Sequence, residues 1–167
     1  MPSIWPEGSV FVLLNGSAPQ ITQSPNLRRV EQHYRIGPAR HGYDDPSYRH
    51  VVRAFEGNGL RPYSPCHLRA DRQPNGAYDV NWIRRTRIDG DAWEGADVPL
   101  REESESYLVQ VFHEGEVVRE VTQDSPAWSY SAADQASDGV TVAFDISVAQ
   151  LSAAFGSGPA TSLRVVL

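Results

Sequence analysis

The sequence contains no lysine; all 15 of its basic residues are arginine. A GC-rich genome produces that bias on a surface without any mechanistic meaning. There is one cysteine, Cys66, which excludes an internal disulfide framework and a multi-cysteine zinc site. No apolar run is long enough to cross a bilayer, so no membrane span is expected. The start, "MPSIWPEGS", lacks the basic head and long apolar middle of a secretory signal, and synthesis in the cytoplasm of the producing cell is expected. Histidines 33, 41, 50, 67 and 113 show no ligand spacing of the H-E-x-x-H kind. G-x-S-x-G, P-loop and H-R-D motifs are missing too, so no catalytic residues, no metal and no cofactor are expected.

What is present is an ordinary globular composition, 40% hydrophobic and 22% charged, which provides enough apolar surface for a core. The net charge of −6 makes nucleic acid a poor partner. Charge is placed unevenly. Residues 1–87 hold 12 Arg against 7 acids, net +5, whereas residues 88–167 hold 3 against 14, net −11. Such asymmetry fits docking between unlike surfaces, and fits two solvated faces equally well.

The pattern predicts an all-β chain. "SVFVLL" (9–14) reads as a short strand closed by the turn signal "NGS". "RRVEQHYRIG" (28–37) and "YRHVVRAF" (48–55) can each hold a strand, and the Gly- and Pro-dense "EGNGLRPYSP" (56–65) reads as a boundary. Two domains follow: a small N-terminal β unit over 1–60 and a β-sandwich over 61–167. In "YDVNWIRR" (78–85), Val80 and Trp82 share one face, and Asn81 and Arg85 the other. "ESYLVQVF" (105–112) aligns Tyr107, Val109 and Val111, and "GEVVREV" (115–121) follows a tight turn as its hairpin partner. "VTVAFDISVAQL" (140–151) sets Val140, Val142, Phe144, Ile146 and Val148 on one face. "SLRVVL" (162–167) supplies a last strand, and "SAADQAS" (131–137) at most a turn of helix. Alternation with period 2 between turns is the mark of a two-sheet sandwich. Its expected core is Trp82, Tyr107, Val109, Phe144, Ile146 and Val148.

The stretch that looks most like a site is "WIRRTRIDGDAW" (82–93). Trp82 is expected inside and Arg85 outside, with Arg84 and Arg87 near the strand's end. "DGD" reads as a turn, because two carboxylates are too few for a calcium loop. Cys66 and His67 alternate in direction along a strand, so a packed core thiol is expected rather than a thiolate–imidazole pair. "GNG" (57–59) and "GSG" (156–158) lead into no helix and read as turns, not phosphate loops. Glu102, Glu103 and Glu105 read as a solvated strand edge. A glycosidase pair through Glu102 or Glu103 needs a facing cleft that the pattern does not provide.

"RPYSPCHLRADR", "YDVNWIRR", "SYLVQVF" and "FDISVAQLSAAFGSGPATSLRVVL" together resemble a fibronectin type III domain, with one long insert, "TRIDGDAWEGADVPLREE" (86–103). "LRPYSPCHLRA", "WIRRTRIDGDAW", "VPLREESESYLVQV" and "VAQLSAAFGSG" further resemble the C-terminal region of the large baseplate or host-specificity tail protein of gene transfer agents and related siphophages. "WPEGSVFVLLNG" and "HYRIGPARHGYDDPSYRH" resemble the segment that precedes it there. The resemblance implies a non-enzymatic component of a virion tail tip, made in the bacterial cytoplasm and assembled as a homotrimer. It is expected to link baseplate hub proteins to a tail fibre or host surface, as a separate short relative or a C-terminal piece. The insert, with Trp93, Asp89, Asp91, Arg85 and Arg87, is then the expected partner contact. The competing reading is a carbohydrate-binding module for host surface glycans, with Trp93, Trp128, Tyr43 and Tyr48 stacking on sugar rings.

Overall fold

The computed structural model describes residues 21–88 and 99–166. It divides into two compact units, Met1–Ala54 and Phe55–Leu167. The expected strand at 9–14 lies outside the described residues, as do Asp89, Asp91, Trp93 and Leu167.

In the first unit β1 (Gln32–Ile36) and β2 (Arg49–Arg53) pair antiparallel, His33 opposite Val52 and Arg35 opposite His50. The loop between them is closed by Tyr48. Its hydroxyl donates to the carbonyl oxygens of Pro38 and His41, at 3.0 and 3.3 Å. The ring lies so close over Gly37 that a Cβ there would meet it at 2.5 Å, so only glycine fits.

The second unit is a sandwich of two antiparallel sheets. One is ordered β3 (Cys66–Arg72), β4 (Tyr78–Ile83), β7 (Ala127–Tyr130). The other runs β10 (Thr161–Val165), β8 (Phe144–Ser152), β5 (Tyr107–His113), β6 (Glu116–Gln123), and the short β9 (Gly156–Ser157) pairs with the end of β8. Three strands facing four in this order make a fibronectin type III-like sandwich. The β5–β6 turn is formed by Glu114 and Gly115 at φ 52 and 89, two left-handed residues whose twist suits a tight hairpin. Among the described residues one α-helix, α1 (Ala132–Ser137), starts at Ser131, whose Oγ accepts from the Asp134 amide at 3.0 Å.

The alternation fills the space between the sheets. Tyr78, Val80 and Trp82 enter from β4, Tyr107, Val109 and Val111 from β5, and Phe144, Ile146 and Val148 from β8; all are buried. Aromatic rings meet edge to face across the core: Trp82 with Tyr107 at 5.1 Å, and Phe144 with Tyr78 and Tyr130 at 5.5 and 5.6 Å. Along the sandwich edge Pro62 and Pro65 are fully buried, and the Pro65 carbonyl accepts from the Thr161 hydroxyl. Gly158 is pinned beside them, since a Cβ there would lie 2.9 Å from the Pro62 oxygen.

Three expectations fail here. Val142 is 53% exposed, because the chain from Gly139 to Ala143 is turn and loop, and β8 begins only at Phe144. Val140 still reaches the core, from the loop, with its amide bonded to the Gln135 carbonyl at 2.9 Å. Glu102, Glu103 and Glu105 do not form a strand edge, since β5 starts at Tyr107. Cys66 is only half-buried, beside the irregularity between Cys66 and Arg69, where His67 takes a left-handed φ of 53.

A polar knot ties β6, β7 and α1 together. Arg119 grips Asp138 through two bonds, 2.6 and 3.0 Å, and reaches Asp134 at 2.9 Å; the Tyr130 hydroxyl donates to Asp138 at 2.7 Å. Burial works against the Asp138 charge, but the bonds from Arg119 and Tyr130 outweigh it and hold the carboxyl below its usual range. Burial first, and then the bond to Asp138, push the Tyr130 hydroxyl up. A depressed carboxylate contributes stability that is fully present above its ordinary value of 3.8 and lost as pH falls through the folded value. Thermal melts at pH 7 and pH 3 check this: Asp138→Asn lowers the melting temperature at pH 7, and the difference from wild type shrinks at pH 3.

Candidate functional site

The connection from β4 to β5, residues 84–106, carries the stretch singled out in the sequence. Its described ends are drawn together by charged side chains. Arg84 Nη1 donates to the Pro99 carbonyl at 3.1 Å. Arg87 donates to Glu102 Oε1 from Nε at 3.1 Å and from Nη2 at 2.8 Å, and Nη1 donates to the Gly59 carbonyl. The Glu102 and Arg87 side chains are 4% and 13% exposed. Two charges withdrawn that far from water are tolerable only because they meet each other. Arg87 therefore serves as an internal clasp, not as part of an outward contact surface. Glu102, locked in the same pair, is not a free catalytic carboxylate.

Beside the clasp, Glu105 Oε1 accepts the hydroxyl of the buried Tyr107 at 2.6 Å. Burial, reinforced by that bond, pushes the Tyr107 hydroxyl well above the ordinary phenol range. Glu103 faces solvent. Arg85 is exposed, its guanidinium carbon 5.0 Å from the ring centroid of Tyr63. Of the residues proposed as partner contacts, Arg85 is the described one on the surface.

Next to this connection lies an open groove of about 420 Å³ lined by Asp79, Val80, Asn81, Gln123, Ala127, Trp128 and Ser129. The register explains it. Asn81 on β4 pairs with Ala127 on β7, and Gln123 ends β6 opposite Tyr107 at the start of β5. Trp128, opposite Val80 and stacked on Tyr130 at 5.1 Å, is half-buried against the core, whereas Asp79, Asn81 and Ser129 alternate to the other face of the sheet. A lining with a carboxylate, two amides and a hydroxyl offers hydrogen-bonding partners to a polar ligand. Sequence reasoning named Trp128, marked Asn81 only as outward-facing, and missed Asp79 and Gln123, the latter lying past the end of the strand it read at 115–121.

The other aromatics divide. Tyr43 is 72% exposed, edge-on to Tyr48 at 5.6 Å. Tyr48 itself is the plug of the β1–β2 loop and is not free to stack on a ligand. Among the histidines the fold makes one pair that spacing does not show: His33 and His50 lie side by side across β1 and β2.

No family model and no curated protein matches the chain. Among solved structures, it is similar to the rat CD45 extracellular region, domains d3-d4, at 12% identity and a TM-score of 0.50, over 99% of this chain and 78% of that one. It is also similar to the Clostridium perfringens spore cortex lytic enzyme SleM at 12% identity and a TM-score of 0.41, over 64% of this chain and 28% of that one. The first likeness agrees with the sheet order in giving a fibronectin type III-like fold.

Arg87→Ala strands Glu102 in a dry site and is expected to cost about 3–5 kcal/mol of stability. Arg85→Ala, which loses one exposed cation–π contact, costs about 1 kcal/mol or less. Denaturant unfolding of the two variants checks the order.

Proposed function

We propose that the protein is a structural, non-enzymatic component of a phage or gene-transfer-agent tail tip, joining baseplate hub proteins to a tail fibre or to the host surface. The observation that carries the reading is the clasped β4–β5 connection. It is the long insert of a fibronectin type III-like sandwich, and residues of the tail-protein-like stretches, Arg84, Arg87 and Glu102, hold its base. The first unit would dock on the hub and the sandwich would project outward. Charge supports that polarity: residues 1–54 hold 6 Arg against 4 acids, net +2, and residues 55–167 hold 9 against 17, net −8. Much of the basic excess noted in the sequence, however, sits in and around β3 and β4 rather than in the first unit. Copies would assemble as a trimer around the tail axis, and the site of action would be the virion. Mass spectrometry of purified particles, quantified against the tail-tube protein, is expected to find about three copies per tail. Absence from particles overturns the reading.

The groove at Trp128 favours a second reading, a module that binds host surface glycans directly. Asp79, Asn81, Gln123 and Ser129 line the groove and could hold sugar hydroxyls, with the half-buried Trp128 at its edge. On a glycan array, binding that Trp128→Ala abolishes supports this reading, and no binding by the intact protein removes it.

A further inference from the structure

The antiparallel register of β1 and β2 sets His33 and His50 on neighbouring diagonal positions of one face, His33 opposite Val52 and His50 opposite Arg35. The two imidazoles are parallel to within 12°, with centroids 5.1 Å apart. His33 Nδ1 lies 2.9 Å from His50 Nε2, and both side chains are exposed. Without an ion, one of these nitrogens carries a hydrogen that the other accepts. We propose that this pair is a two-imidazole chelate for a borderline divalent transition-metal ion of the zinc, nickel and copper group.

Metal–imidazole bonds of about 2.05 Å place two ligating nitrogens about 2.9 Å apart at a right angle and about 3.3 Å apart at a tetrahedral angle. The observed separation matches that of two ligands at a right angle, and rotations of the two exposed rings turn their nitrogens from each other onto one ion. To bind, the nitrogen that carries the shared hydrogen gives it to its own ring's other nitrogen, so a neutral pair takes up the ion without net proton release. Imidazoles select such ions over magnesium and calcium, which prefer oxygen. Two protein ligands leave the remaining positions to water, so affinity is modest. Arg35, opposite His50, opposes the ion's charge, and Asp44, 3.9 Å from its guanidinium, offsets part of that. The sheet holds the two backbones in register before the ion arrives, so the second imidazole binds at a high effective concentration.

The test uses the full chain with Cys66→Ser, which removes the one thiol, titrated with nickel ion by calorimetry. One ion per chain is expected, with affinity reduced at least about tenfold by His33→Asn or by His50→Asn. His41→Asn, an exposed histidine elsewhere in the unit, leaves binding unchanged, and magnesium gives no heat. Because both side chains of the pair are exposed, the variants keep their fold, which circular dichroism verifies. Binding that survives removal of either histidine, or no nickel binding below millimolar concentration, overturns the proposal.

Discussion

The edge-to-face contact of Trp82 with Tyr107 is the constraint on which the sandwich depends. One ring comes from each sheet, so the contact holds the layers together at the end from which the β4–β5 connection leaves. The two residues also flank the long β4–β5 connection, and their meeting brings its ends together before any residue of the loop is placed. Closing a longer loop costs only slightly more entropy once its ends are fixed. That is how this sandwich accommodates an insert far longer than its architecture needs. Arg84, Arg87 and Glu102 then tighten the same neck with polar bonds, and Glu105 satisfies the hydroxyl of Tyr107. The architecture comes from burial, and the insert's anchorage comes from charge.

What alternation could reveal, it revealed. The inward sets of β4 and β5, the hairpin at Glu114 and Gly115, the short helix after Ser131 and the all-β class were all legible, because each is a local property of a few consecutive residues. Val142 shows the limit: a β-branched residue in perfect alternation lies on a loop, because the turn leaving α1 takes up the chain until Phe144. Strand β8 shows another. Its central position buries Ser147 and Ala149 on the face that alternation assigns to solvent. Features joining residues distant in sequence were not legible. Arg87 with Glu102, Arg119 with Asp138, and His33 with His50 each need a register or a loop path that spacing does not encode. For the same reason Arg87, read from the sequence as lying near the strand's end and among the partner contacts, proved to be an internal clasp.

The two units give the proposed tail-tip role a division of labour. The sandwich has its own core and its own polar knot at Arg119, so it can project without support. Its open features, the groove at Trp128 and the clasped connection beside it, lie close together. A contact there, with fibre or glycan, would be presented on rigid strands rather than on a free loop. In the proposed role the first unit would meet the hub, and it carries Tyr43 exposed on the loop that Tyr48 closes.

The most direct measurement compares incorporation into tails of two tagged copies expressed in the producing cell, the full chain and a chain beginning at residue 55. The account predicts that the full chain co-purifies with tails while the shortened one, its sandwich intact by circular dichroism, stays in the soluble fraction. Incorporation of the shortened chain at the full level, or of neither, would contradict it.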